Sequence, residues 1–215
     1  LYGVGNAFAA KLQNSVHRPR YYCHIGGVRF ATPHCQQKSY HPRFGGGNHS
    51  LFRLLNTETV NISSVQMCCL GVNHRTAPVA VRERFAVPKR CLEQQNAALA
   101  ALACVQECVL LSTCNRTELY FWSPQPQLAR REILRFFLGS VATQEHAQLS
   151  ACFYEFSGVE ALRHLARVAA GLDSMVVGET EIFGQIKDAY RAAVQASSTA
   201  TFANRTFQRI FSIGK

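Results

Sequence analysis

The sequence predicts an α+β fold: a ferredoxin-like antiparallel sheet with helices on one face, followed by a helical extension and preceded by a disordered leader. Three observations predict it. Two apolar runs, VQECVLLST and TELYFW, are separated by only Cys114, Asn115 and Arg116, which makes them antiparallel neighbours. Strand-like and helix-like segments follow in the order strand, helix, strand, strand, helix, strand, helix, helices, which suits strand pairs packed against helices. Residues 1 to 66 show neither helical nor strand periodicity.

From Met67 the elements can be justified in turn. MCCLGV is a short apolar run, read as a buried strand, and APVAVRERFAV is a short helix introduced by Thr76 and Pro78. Pro88 opens KRCLEQQNAALAALA, whose Ala and Leu content favours helix. The two strands of the hairpin come next. After SPQPQ, LARREILRFFL is amphipathic at helical spacing, and ACFYEF is a short strand. Ser157 is the expected cap of GVEALRHLARVAAG, which Gly171 stops. EIFGQIKDAYRAAVQASS and TFANRTFQRIFSIGK complete the chain as helices.

The tract before Met67 has a different chemistry. It holds seven basic residues (Lys11, Arg18, Arg20, Arg29, Lys38, Arg43, Arg53) against one acid, Glu58, and so carries +6 of the net +10. An acid-poor, Arg- and Ser-containing start has the composition of an organelle transit peptide. Untranslated or mistranslated upstream sequence is the plainer alternative, and the chain opens on Leu1 rather than Met. The tract also collects His17, His24, His34, His41 and His49 with Cys23 and Cys35, but their spacing matches no zinc pattern and no metal is expected. The basic balance suits a polyanionic partner such as RNA without identifying one. Nine cysteines without framework spacing point to a reducing compartment and buried thiols rather than a disulfide scaffold. No apolar run approaches the roughly 20 residues that cross a bilayer.

Among the thiols, Cys114 stands apart because the hairpin presents it at its tip, between Thr113 and Asn115–Arg116. A thiol there is useful as its thiolate, the form that a neighbouring guanidinium and loop amides favour. Cys68, Cys69, Cys91, Cys104, Cys108 and Cys152 read as small core residues. His164 lies on a helix with an apolar side and by itself reads as a satisfied helix histidine. GLDSMVVGETEIFGQ groups Asp173, Ser174, Glu179 and Glu181 between glycines, which suits a loop gripping a polar ligand or a capped helix start.

Three blocks, LGVNHRTAPVAVRERFAV, LLSTCNRTELY and RHLARVAAGLDSMVVGETEIFGQIKDAY, resemble those of the N-terminal domain of glutamyl-tRNA reductases, in the same order and over Met67 to Lys215. The resemblance implies that Cys114 attacks the ester of glutamate on charged tRNA(Glu), giving a thioester that hydride from NADPH reduces to glutamate-1-semialdehyde, the first committed step towards tetrapyrroles. It further implies that Thr113, Asn115 and Arg116 share the substrate pocket, with Arg116 the bidentate partner of the glutamate carboxylate. His164 would be a base or orienting group; Ser174, Glu179, Thr180, Glu181 and Gln185 would be further substrate contacts. The implied partners are the tRNA, a second subunit in a homodimer, and the enzyme that takes the product.

Two departures from the family pattern stand out. GETEIFGQ has Thr180 and Glu181 where proline and glutamine are expected, and an anion at 181 sits poorly beside a carboxylate substrate. No glycine-rich dinucleotide turn follows a strand, and GGGNHS lacks the spacing, so the NADPH domain is expected to be absent and the chain to act at most as a slow esterase. The implied division is a leader at 1–66, a catalytic domain at 67–170, and a substrate-gripping loop with helical extension at 171–215. Competing readings are a tRNA-binding module without chemistry and a cysteine hydrolase pairing Cys114 with His164. A basic leader ahead of a tetrapyrrole enzyme points to the chloroplast stroma; a bacterial homologue would be cytoplasmic.

Overall fold

The structure, a computed structural model, describes residues 24–25, 28–29, 65–139, 141–174 and 181–213. The leader expectation therefore lies largely outside the described residues, as do Glu179 and Thr180. Within residues 1–66, His24–Ile25 and Val28–Arg29 pair as a two-residue antiparallel ladder.

The domain is built on four strands, β1 (Gln66–Asn73), β2 (Glu107–Ser112), β3 (Arg116–Ser123) and β4 (Tyr154–Ser157), in the antiparallel order β2-β3-β1-β4. This is the ferredoxin-like arrangement expected. Alternation along the strands sends Cys68, Leu70, Cys108, Leu110, Leu119 and Phe121 to one face. There they meet α1 (Val79–Phe85), α2 (Leu92–Ala100) and α3 (Pro126–Leu138) through Phe85, Leu99, Ile133 and Phe137, with the short α4 (His146–Ser150) adding Leu149. Side chains of this size contribute about 1.5–3 kcal/mol each when fully buried.

The helix that follows β4 and the helical extension beyond it cover the opposite face. Cys69, Val109, Leu111, Tyr120 and Trp122 pack under α5 (Val159–Ala169), α6 (Glu181–Gln195) and α7 (Thr201–Ile213), through Leu165, Ile186 and Phe207. With both faces covered, every residue of β3 is buried, Arg116 and Glu118 included. A charged pair on such a strand needs partners inside the protein.

The edge strand β2 is sealed by side chains rather than by a fifth strand. Asn96 on α2 accepts from the Leu110 N–H at 2.9 Å, and Ser198 exchanges bonds with Cys108, its carbonyl accepting at 2.8 Å and its hydroxyl donating at 2.9 Å. At the start of β2 the buried Glu107 accepts from the N–H groups of Ala200, Phe202 and Ala203 at 2.8, 3.0 and 2.7 Å. It therefore caps α7 from across the fold, where a negative charge also complements the helix dipole. Glu107→Ala is expected to destabilise the domain by about 2–3 kcal/mol, read as a lower urea midpoint with α7 exchanging its amides first.

Gly71 is required by a close approach. A Cβ there would lie 2.7 Å from the Thr117 carbonyl oxygen and 2.8 Å from Glu118 Cγ, both on the paired strand. Gly71→Ala should therefore force β1 from β3 or expel the Glu118 side chain, a loss of about 1–3 kcal/mol measurable by denaturant titration.

The helix boundaries follow the sequence with two differences. Ser157 does not cap α5: it pairs with Cys68 as the last residue of β4, and Gly158, at φ +55°, makes the turn while donating to the Met67 carbonyl at 2.7 Å. The run ACFYEF enters the sheet only at Tyr154, because Leu149 to Phe153 close a helical turn first. Gly171 ends α5 as expected, with φ +69° and the Leu172 N–H returning to the Arg167 carbonyl. Of the described cysteines, 68, 69, 104, 108, 114 and 152 are free thiols, whereas Cys91 is disulfide-bonded, an exception to the expected free core thiols. Burial pushes the Cys108 thiol up to about 12 and Cys68 to about 11, so both are inert. No helix among the described residues is long and apolar enough to cross a membrane.

Candidate active site

The β2–β3 turn is organised by Thr113. Its hydroxyl accepts from the N–H groups of Asn115 and Arg116 at 3.1 and 3.2 Å, and its own N–H donates to the Arg116 carbonyl at 2.8 Å. These bonds close the turn beneath residues 114 and 115 and leave Cys114 exposed, in contrast to buried Cys68, Cys69, Cys104 and Cys108. The turn forms one wall of a cleft lined by Thr113, Cys114, Asn115, Arg116, Ser174, Glu181, Ile182 and Gln185. Seven of these were singled out in the sequence; Ile182 was not. The first turn of α6 supplies Glu181, Ile182 and Gln185, and Gln185 donates to Glu181 at 3.1 Å.

Arg116 does not behave as the free fork expected for a substrate carboxylate. Its side chain is 1% exposed, Nη1 donates to Glu118 Oε1 at 2.7 Å, and Nη2 donates to Asp173 Oδ2 at 3.0 Å and to the Asp173 carbonyl. The physical reason is burial: on a strand covered from both sides, a guanidinium needs internal acceptors. Asp173 is shared, since its Oδ1 also meets Arg75 Nη1 at 3.0 Å. Arg75 is presented by a turn in which Asn73 Oδ1 accepts from the N–H groups of Arg75 and Thr76 at 2.9 and 3.2 Å, while Thr76 Oγ1 accepts from the Asn73 N–H at 3.1 Å. The NHRT run thus serves the site by aiming Arg75 at Asp173.

Glu118 is the hub beneath the cleft. It is fully buried and accepts from Arg116, from Tyr120 at 2.5 Å, from Tyr154, and from His164 Nε2 at 3.0 Å. Burial by itself raises a carboxyl pKa; here the His164 hydrogen bond and the Arg116 charge outweigh it and hold Glu118 down at about 2. The Tyr120 and Tyr154 hydroxyls are pushed well above the ordinary phenol range, by burial first and then by the Glu118 charge, so both remain donors.

His164 is therefore not a cleft residue. It is 8% exposed, stacks on Phe156 with centroids 4.6 Å apart, and gives Nε2 to Glu118. Of the two roles considered in the sequence, base or orienting group, this position suits orientation, exerted through Glu118 on Arg116. A Cys114–His164 pair of hydrolase type is not formed. Cys69, Glu118 and His164 do bring three ligand-type atoms within 4.8 Å. A cation there would face the Arg116 guanidinium and a carboxylate already engaged by four donors, so the donor set does not fit an ion.

The sequence reading missed Glu118, Tyr120, Tyr154 and Arg75 as parts of the site, and named Asp173 only as a polar loop residue. One signal was available: Arg116 and Glu118 occur two apart within an otherwise apolar strand run, which places both charges on the same face.

The fold and site define an α+β domain that presents an exposed cysteine from a β-hairpin into a polar cleft, over a buried Arg–Glu–Asp network. The profile of the glutamyl-tRNA(Glu) reductase N-terminal domain matches residues 70–215. Over 151 residues the chain is 52% identical to the glutamyl-tRNA reductase of Akkermansia muciniphila, covering 70% of this chain and 44% of that protein. It is 41% identical to that of Aromatoleum aromaticum, covering 70% and 35%. The solved glutamyl-tRNA reductase from Methanopyrus kandleri superposes with a TM-score of 0.52 at 27% identity, over 69% of this chain and 33% of that one. The chain belongs to the glutamyl-tRNA reductase family, through its N-terminal domain. It spans less than half the length of these curated relatives.

Proposed function

We propose that this chain is the thioester-forming part of a glutamyl-tRNA reductase, an oxidoreductase at the first step of tetrapyrrole biosynthesis. The observation that carries the reading is the convergence of Cys114, Thr113, Asn115, Ser174 and Gln185 on one cleft, in a chain of this family. The Cys114 thiolate attacks the carbonyl carbon of the glutamyl ester; a C–S bond forms, the C–O bond to the terminal ribose of tRNA(Glu) breaks, and the ribose oxygen leaves with a proton. Thr113, Asn115 and Gln185 supply hydrogen-bonding groups around the acyl chain. His164 is a positioning residue that fixes Glu118, and Glu118 fixes Arg116.

Reduction of the thioester to glutamate-1-semialdehyde by NADPH is part of the same reading. The relatives are more than twice as long as the span they share with this chain, and the hydride step is assigned to that remainder. The division into a leader at 1–66, a catalytic domain at 67–170 and a substrate-gripping extension at 171–215 belongs to this reading, with homodimerisation and product hand-off as properties of the longer protein. The curated relatives named above, from Akkermansia muciniphila and Aromatoleum aromaticum, are bacterial, which is consistent with the cytoplasmic alternative rather than the chloroplast.

Mixing the protein with tRNA(Glu) charged with radiolabelled glutamate should leave label on the peptide containing Cys114. A binding module gives no adduct, and a general cysteine hydrolase accepts a glutamyl ester without the tRNA.

A further inference from the structure

The ion network below the cleft is balanced: Arg75 and Arg116 are the cations, Glu118 and Asp173 the anions. Among the described residues Arg116 is the one basic residue lining the cleft, and its neighbours there include the anion Glu181. A ligand carboxylate brought to Arg116 adds a third negative charge to two positive ones in a largely desolvated site, so one resident carboxylate must yield its bond. Glu118 is the wrong candidate: it is fully buried and fixed by four donors. Asp173 is the right one. It is buried beside the cleft, next to the lining residue Ser174, and among the described residues its carboxylate is held by the two arginines alone: its second oxygen already meets Arg75, whose side chain is 56% exposed and able to follow it.

We propose that Asp173 is a specificity-determining residue, an internal carboxylate that occupies Arg116 and is exchanged for the carboxylate of the acyl group entering the cleft, with Arg75 retaining Asp173 after the exchange. The inference rests on the glutamyl reading of the site. The exchange keeps Arg116 paired at every stage and admits only a ligand that brings its own negative charge, because a neutral side chain cannot replace Asp173 without stranding the guanidinium.

The test is protection of Cys114 from iodoacetamide by glutarate, with glutaramide, the neutral diamide, as control. In the unaltered protein glutarate should protect and glutaramide should protect much less. Asp173→Asn removes the competing charge at nearly constant shape, and glutarate should then protect at about tenfold lower concentration, with glutaramide little changed. Arg75→Gln removes the receiving cation and should weaken glutarate protection. The double variant should recover at least the original glutarate affinity, a coupling that plain loss of structure does not produce. Equal weakening of both ligands by Asp173→Asn, with the fold intact by circular dichroism, would overturn the exchange and leave Asp173 a structural tie. If the glutamyl-tRNA reading itself fails, no labelled adduct forms on Cys114, yet the glutarate comparison still decides whether Asp173 competes for Arg116.

Discussion

Replacing Glu118 by glutamine is expected to destabilise the domain by about 3–5 kcal/mol at neutral pH, the range for removing one partner of a buried ion pair. The amide matches the carboxylate in shape but leaves the Arg116 guanidinium short of one negative partner, in a strand buried on both faces. It also introduces N–H donors against Tyr120, Tyr154 and His164, which donate to the carboxylate now. The pH dependence gives a second readout. Glu118 is held at about 2, below its ordinary value of 4.5, so its stabilising contribution is complete above the ordinary carboxylate range and is lost as pH falls towards 2. Urea midpoints across pH 6 to 2 should fall more steeply for the unaltered protein than for Glu118→Gln. Parallel curves would remove Glu118 from the acid limb.

Cys114→Ser is expected to abolish the labelled adduct, and with it the reduction proposed above, while leaving the urea midpoint within about 0.5 kcal/mol of the original. The asymmetry follows from position. Cys114 is exposed at a turn whose bonds are made by Thr113 and the backbone, so the exchange of sulfur for oxygen disturbs no packing. A serine hydroxyl without a neighbouring base is a poor nucleophile, and His164, the one histidine the sequence placed in the site, is committed to Glu118. Retention of the adduct would remove Cys114 from the reaction.

The two variants separate what was legible in the sequence from what was not. The elements other than the short α4, their order, the antiparallel hairpin and the tip position of Cys114 follow from local patterns: apolar runs, helix punctuation by Pro78, Pro88 and Gly171, and two strands joined by too few residues to be anything but adjacent. The cleft wall from 113 to 116, with Ser174, Glu181 and Gln185, was legible through the family blocks. The orientation of Arg116 was not. Sequence shows that an arginine follows the cysteine by two; only the packing of α5, α6 and α7 over the second face of the sheet shows that this side of β3 is dry.

That burial decides the rest. It turns Arg116 away from the role of an exposed fork, draws in Glu118 and Asp173 as its acceptors, and recruits His164 as a donor to Glu118 rather than a partner of Cys114. By itself the sequence determined the scaffold and the nucleophile, because these depend on periodicity and turn chemistry within short windows. The tertiary structure decided which charges face each other, because Arg75, Arg116, Glu118, His164 and Asp173 come from four separate segments, and a buried charge takes its partner from whatever the fold sets beside it.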